Sequence, residues 1–221
     1  MDEVATAKKS SLEPVENFAQ GIVSAIPIRQ FKDWISAYFH PAETLAAQTS
    51  KSASASAVHF ALIGLVGALL GLVGLAIGMA LVPSKAMTAL FAAPFIVIGY
   101  PILVIIAGFI GSAVYWIFAK ILGGRGSFSE QTCGLALVMG GAFLLALPFQ
   151  LLGIIPLLGI LFSLVAAVIG LYGFYSEYRV IKAVHSLSSL RAAAVVLLLP
   201  LLAVILIGAI GLVALVGLAA R

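Results

Sequence analysis

The residues with the most capacity for chemistry lie in AKILGGRGSFSEQTCG, residues 119–134, where glycines, a cation and serines interrupt a strongly apolar chain. A phosphate-binding loop needs two glycines five residues apart, then lysine and a hydroxyl residue, between a strand and a helix. The segment GGRGSF, residues 123–128, has neither that spacing nor the lysine, and it follows a predicted helix. The sequence therefore indicates a turn between two helices and no bound cofactor.

Cys133 and His185 are the other candidates for chemistry, because a thiol and an imidazole can form a nucleophile and its base. Such a pair also needs a third group that orients the base, and these two residues fall in different loops. We predict no enzyme activity. A single cysteine excludes an internal disulfide. No cysteine–histidine cluster has the spacing of a metal site, so no metal is predicted.

The composition indicates a membrane protein. Of the 221 residues, 63% are hydrophobic and only 9% are charged, whereas a soluble domain carries about 25% charged residues. A globule of this size cannot bury so much apolar surface, so we expect contact with the lipid bilayer. The net charge of +4 is interpreted as a topology signal, and no nucleic-acid partner is predicted.

Residues 1–27 lack the apolar core of a signal peptide and are predicted to form a polar cytoplasmic tail.

The apolar runs predict an all-α, polytopic fold with five transmembrane helices, since a bilayer core needs about 20 apolar residues of helix. The predicted spans are about 57–82, 90–121, 131–152, 157–180 and 192–218, which together make one domain over 57–219. The second span is ambiguous. The run from 86 to 121 contains Pro94 and Pro101, and it fits either one kinked span or a half-helix followed by a span.

The positions of the cations indicate the orientation of these spans. With the N-terminus in the cytoplasm, all 12 lysines and arginines lie inside except Lys85 and Arg221. This asymmetry follows the positive-inside rule. Aromatic residues cluster at the same ends of the second and fourth spans, where amphipathic rings prefer the membrane interface. Five spans then place the C-terminus outside.

Residues 28–48 are predicted to form a cytoplasmic amphipathic helix. Aromatic side chains recur there at helical spacing, among them Phe31, Trp34 and Tyr38, while polar residues occupy the opposite face. Two placements remain open. The helix can lie on the membrane surface as an interfacial helix, or it can pack against the cytoplasmic ends of the spans. The serine- and alanine-rich stretch 49–57 is predicted to be a short flexible linker.

The first span carries a continuous seam of small residues that would let a neighbouring backbone approach closely. The seam consists of Gly64, Gly67, Gly71, Gly74 and Gly78. We favour packing within the chain over a dimer, and a homo-oligomer remains open.

No ionisable residue is expected at mid-depth in the spans, which argues against an ion or proton pathway. The nearest is Glu177, which we place at the cytoplasmic interface beside Arg179 and Lys182, as an ion pair or a solvated carboxylate.

Local signals in the loop at 119–134 indicate how it connects two helices. Gly123 and Gly124 are predicted to end the second span, and Arg125 to anchor the loop at the cytoplasmic surface. Ser127 or Ser129 is predicted to cap the next helix, and Ser127 has capping-box spacing to the glutamate three residues on.

The segment YWIFAKILGGRGSFSEQTCGLAL, residues 115–137, resembles the Yip family of five-span membrane proteins. Three further segments resemble its prokaryotic branch: YFHPAETLA at 38–46, LLGIIPLLG at 151–159 and AVHSLSSLRAAAVVLLLP at 183–200. A proline that the family commonly carries early in the third span is missing here, and Pro148 comes late. The resemblance implies a scaffold with a cytoplasmic N-terminus, which we place in a prokaryotic plasma (inner) membrane. Eukaryotic relatives interact with Rab GTPases and act in vesicle traffic.

Two functions remain open from the sequence. The first is a non-enzymatic scaffold or adaptor that meets a protein partner at the cytoplasmic face in membrane organisation or a trafficking-like process. Its candidate partner-binding or structural residues are Gly123, Gly124, Arg125, Gly126, Ser127, Phe128 and His185. The alternative is a transporter or channel for a small or apolar solute or a lipid. Helix breaks at prolines such as Pro94 would allow such a pathway.

Overall fold

The computed structural model describes residues 28–81, 91–152 and 156–219. In chain order the helices are α1 (Ile28–Phe39), α2 (Pro41–Ala47), α3 (Ala53–Leu81), α4 (Tyr100–Ile121), α5 (Phe128–Leu152), α6 (Pro156–His185) and α7 (Ser189–Ala219). No strand occurs in these ranges, and the all-α class is confirmed. The predicted tail at 1–27 lies outside the described residues.

Among the described residues, four helices are long and apolar enough to cross a membrane: Ala53–Ile77, Phe91–Ile121, Phe128–Leu152 and Gly159–His185. These helices confirm a multi-pass membrane protein in contact with lipid. The predicted fifth span falls within α7. The apolar stretch described there, Ser189–Leu202, is shorter than the four helices above. A fifth span, and with it the side on which each terminus lies, stays a prediction.

The second span is one continuous helix over its described residues, Phe91–Ile121. Just before α4 it widens into a π-helix at Phe95–Gly99. Pro101 follows this widened turn. It has no N–H to donate to the carbonyl four residues earlier, and its ring crowds that turn, which is a common cause of such local widening. Residues 86–90 of the ambiguous run lie outside the described residues.

Helix α5 is central to the fold, since it contacts α1, α2, α3, α4 and α6. Residues 131–138 are all buried, as are Gly140 and Gly141 one turn further on. Small residues allow this close packing. A β-carbon added at Gly134 would lie 2.6 Å from Cγ1 of Val180 on α6, closer than side chains approach. The core therefore surrounds the first half of α5.

The aromatic face of α1 is buried against this core. Trp34 is 0% exposed and Tyr38 2% exposed, and Phe31 packs against the same cluster. The Trp34 indole lies directly over Gly140 of α5. Its Nε1 donates a hydrogen bond to Nδ1 of His59 on α3, at 3.0 Å. Helix α1 is therefore fixed to two spans at once.

The C-terminal end of α1 is fixed to α6. The Tyr38 hydroxyl donates to the carbonyl of Ile169, and Oγ of Ser176 donates to the Tyr38 carbonyl at 2.6 Å. Burial, followed by the nearby Tyr172, raises the pKa of the Tyr38 hydroxyl, which keeps it a donor. Because the aromatic face is covered by protein, the structure favours the packed placement of this helix over the interfacial one. Its depth relative to a bilayer stays a prediction.

Part of the glycine seam on α3 faces the start of the second span. A β-carbon added at Gly64 would lie 2.5 Å from Cα of Pro101, and one at Gly67 would overlap the ring of Tyr100. At Gly71 the nearest atom would be a side-chain methyl 3.0 Å away. These three glycines therefore permit a close helix contact within the chain.

The rest of the seam makes no such contact. Gly74 has no neighbour within 4 Å of an added β-carbon, and the surroundings of Gly78 lie outside the described residues. A homo-oligomer formed through this part of the seam stays a prediction.

The flexible linker predicted at 49–57 was wrong for its second half, because α3 already begins at Ala53. Ser52 caps this helix: its Oγ accepts from the N–H of Ala55 at 3.2 Å, and its carbonyl accepts from the N–H of Ser56 at 3.1 Å. Alternating serine and alanine resembles linker composition, yet alanine is the strongest helix former and serine a preferred cap.

We predict opposite effects for two glycine-to-alanine changes in helices. Gly140→Ala should destabilise the fold by about 1–3 kcal/mol, because the new methyl overlaps the Trp34 indole. The matched control, Gly170→Ala, has no atom within 4 Å of the new methyl and should stabilise α6 by up to about 1 kcal/mol. Melting temperatures of the two purified variants in detergent test this. Equal shifts would contradict the burial of α1 against α5.

Candidate functional site at the basic end of the helices

The loop after α4 begins with a tight helix end. The N–H of Gly124 donates to the carbonyl of Ala119 at 2.8 Å, and the N–H of Gly123 donates to that of Lys120 at 3.0 Å. This pair of bonds is a Schellman motif, which places Gly123 at a positive φ of 89°. Glycine adopts that conformation without steric cost. The helix end predicted at these two glycines is present in the structure.

The same loop packs tightly against the end of α6. The N–H of Arg125 donates to the carbonyl of His185 at 3.2 Å. A β-carbon added at Gly124 would lie 2.7 Å from Nδ1 of His185, and one at Gly126 would lie 2.5 Å from the Val184 carbonyl oxygen. Two glycines of the loop are therefore needed for close approach.

Ser127 caps α5 as the sequence predicts. Its Oγ accepts from the N–H of Glu130 at 3.2 Å, and its hydroxyl donates to the Glu130 carboxylate at 3.4 Å. The same carboxylate forms an ion pair with Nζ of Lys51, at 3.5 Å. The start of α5 is thus tied to the segment that precedes α3.

A buried chain of polar groups lies directly beneath the loop and joins three helices. Nε2 of Gln131 on α5 donates to the carbonyl of Ser112 on α4 at 2.8 Å. Oε1 of Gln131 lies 2.6 Å from Nε2 of His185 on α6. Because that oxygen can only accept, the histidine proton belongs on Nε2. Gln131 is 0% exposed and His185 1% exposed, so the bonds are shielded from water.

Exposed cations surround this rigid centre. They belong to two segments, 120–131 and 179–191, which we call the basic platform; its exposed cations are Lys120, Arg125, Lys182 and Arg191. Arg191 donates to the carbonyl of Leu122 at 3.2 Å, and so connects the start of α7 to the loop. Glu130 is the one acidic residue of the two segments. The platform therefore carries a net positive charge.

The structure separates the predicted site residues into a surface group and a buried group. Gly123, Arg125 and Ser127 are exposed, Phe128 is half-buried, and Gly124, Gly126 and His185 are buried. The Phe128 ring packs on those of Phe109 and Trp116. Sequence reasoning missed Gln131, although a lone amide at the start of a long apolar run was a usable signal.

Cys133 and His185 are not paired. The Cys133 thiol is fully buried and lies 3.9 Å from the carbonyl oxygen of Ser50, while Nε2 of His185 is bound to Gln131. Within the described ranges, no group of three or more metal-ligating side chains comes together. The features that this end offers to a ligand are therefore exposed cations on a fixed backbone.

A family model described as the Yip1 domain matches residues 35–212, which is more than half of the chain. The matched range begins within α1, includes the whole basic platform and ends in α7. No curated protein sequence and no solved structure matches the chain.

We predict that the close approach of the loop cannot tolerate a methyl group. Gly126→Ala should destabilise the protein by about 1–3 kcal/mol, since the Val184 backbone cannot move aside as a side-chain end could. Gly111→Ala is the control, because its new methyl has no neighbour within 4 Å. Thermal unfolding in detergent distinguishes them, and an unchanged Gly126→Ala midpoint would show that the loop is not packed in this way.

Proposed function

The chain belongs to the Yip family of membrane proteins, and from that premise we propose that it is a non-enzymatic scaffold that docks an acidic protein segment on its basic platform. The platform would lie in the cytoplasm, beneath a prokaryotic plasma membrane, with the N-terminus on the same side. The observation that carries this proposal is the rigid support of exposed cations by a buried framework.

Rigidity favours specific docking because little conformational freedom is lost on binding. The backbone of the loop is held by bonds to α4 and to the carbonyl of His185. The cationic side chains are also positioned: Lys182 donates to Oγ of Ser189 at 2.9 Å, and Lys120 donates to the carbonyl of Arg125 at 3.3 Å. A partner would meet a surface that is already formed.

The charge of the platform selects the chemistry of the partner. Four exposed cations with one acid among them attract an acidic segment and repel a basic one. Two large apolar side chains stand beside these cations, Ile121 at 70% and Leu190 at 82% exposed. An acidic segment with an apolar residue would complement both features. A cytoplasmic position of the platform agrees with the preference of cations for that side of a membrane.

A second candidate function is transport of a small or apolar solute or a lipid. The π-helical turn Phe95–Gly99 favours it, because interrupted helices often adjoin binding sites in transporters. The scaffold is preferred, since the polar side chains of the described residues concentrate in residues 28–56 and in the platform, and residues 91–111, around the interruption, contain no charged side chain.

We predict that a photo-crosslinking amino acid at Leu190 captures one recurrent protein in native membranes. The double change Arg125→Glu and Lys182→Glu should reduce that adduct at least about tenfold, because like charges repel an acidic partner. Arg29→Glu, a reversal of an exposed cation on α1, should leave it unchanged. Mass spectrometry of the adducts gives the readout.

A probe at Ile160, which is 76% exposed near the opposite end of α6, serves as the negative control. Adducts to lipid alone, or to other copies of this chain, would contradict the scaffold proposal. So would a protein adduct that survives the double charge reversal at full yield.

A further inference from the structure

A cleft of about 370 Å³ lies between α4, α5 and α6. Its walls are apolar and include Leu103 on α4, Met139 on α5 and Phe174 on α6. These three side chains are 63%, 36% and 42% exposed, so the cleft is open along one side. In a bilayer that open side would face lipid.

One end of the cleft is polar. The hydroxyl of Tyr115 donates to Oε2 of Glu177 at 3.1 Å, and Ser112 lies beside them. Oε1 of Glu177 has no hydrogen-bond partner among the residues that the structure describes. Glu177 therefore contributes an acceptor without a partner in the described residues to the polar end of the cleft.

No cation neutralises this carboxylate within the described part of the chain. The ion pair with Arg179 or Lys182, one of the two alternatives expected for Glu177, does not form: Arg179 pairs with Glu43 at 3.4 Å, and Lys182 donates to Ser189. Arg179 and Lys182 lie two and five positions after Glu177, so their side chains do not share its helix face. A carboxylate among apolar side chains is costly unless a cation or hydrogen-bond donors compensate it.

We propose that the cleft binds a membrane lipid whose headgroup carries a primary ammonium. The ammonium would meet Glu177, supplying a positive charge and N–H donors. The acyl chain would lie along α4 toward Tyr100, which lines the far end. From Tyr115 to Tyr100 the helix rises about 22 Å, at about 1.5 Å per residue. One leaflet of hydrocarbon is about 15 Å thick, so the cleft is long enough for an acyl chain.

The same features disfavour other lipids. None of the described residues that line the cleft is a lysine, arginine or histidine, so an anionic headgroup would meet the Glu177 carboxylate without compensation. A trimethylammonium group carries the charge but has no N–H to donate. The predicted order of preference is therefore phosphatidylethanolamine first, phosphatidylcholine second and phosphatidylglycerol last. The proposal of a lipid site does not depend on the proposal that a protein docks on the platform.

The experiment uses the full chain in lipid nanodiscs of neutral, choline-headed lipid. Photoactivatable phosphatidylethanolamine and phosphatidylglycerol with identical acyl chains are added as trace probes, and the labelled peptides are quantified. We expect the ethanolamine probe to label residues 100–115 and 135–139 about tenfold more than the glycerol probe, as one charged hydrogen bond would give. Glu177→Gln should remove this preference.

Glu43→Gln is the matched control, because it alters an exposed carboxylate on α2 that forms a surface ion pair. It should leave the preference intact. A competition on the unaltered chain does not depend on any variant folding: dodecylamine should displace the ethanolamine probe, whereas dodecanol, of equal length but neutral, should not.

Three results would overturn the proposal. Equal labelling by both probes would mean ordinary contact with surrounding lipid. If the preference for the ethanolamine probe survives Glu177→Gln, or if dodecylamine and dodecanol displace that probe equally, the carboxylate does not recognise the headgroup. Crosslinks between two copies of the chain at the cleft would show that a second copy occupies it.

Discussion

A single buried amide, that of Gln131, holds three helices of the protein in register. It donates to the carbonyl of Ser112 on α4 and accepts from His185 on α6. Because each buried polar group left without a partner would cost about 1–3 kcal/mol, α4 and α6 are constrained relative to α5. The carbonyl of His185 then receives the N–H of Arg125, so the position of the loop that carries Arg125 depends on Gln131.

The features that depend on local chemistry were predictable from the sequence. Apolar length gave the membrane-spanning helices, and the glycine pair Gly123 and Gly124 gave the end of α4, because a positive φ favours glycine. The serine–glutamate spacing gave the cap at Ser127. The segment at 115–137 gave the family, which the matched Yip1 domain now shows. Each of these signals acts over a few residues, so a linear reading captures it.

What could not be predicted depends on contacts between distant parts of the chain. An amphipathic pattern shows that α1 has an apolar face, but not whether lipid or protein covers it. That question is decided by the bond from Trp34 to His59, 25 residues away, and by the fit of its ring on Gly140. The partner of Glu177 was missed for the same reason, since Tyr115 lies on another helix. Position in sequence did not indicate either neighbour.

Amide hydrogen exchange of a Gln131→Leu variant in nanodiscs tests most directly whether this amide organises the basic platform. Leucine keeps much of the volume and cannot make either hydrogen bond, which leaves His185 without its partner. We expect peptides covering 119–128 and 183–190 to exchange at least about tenfold faster than in the unaltered chain, with the peptide covering α1 unchanged. Unaltered exchange in the two platform peptides would show that the loop is held without Gln131.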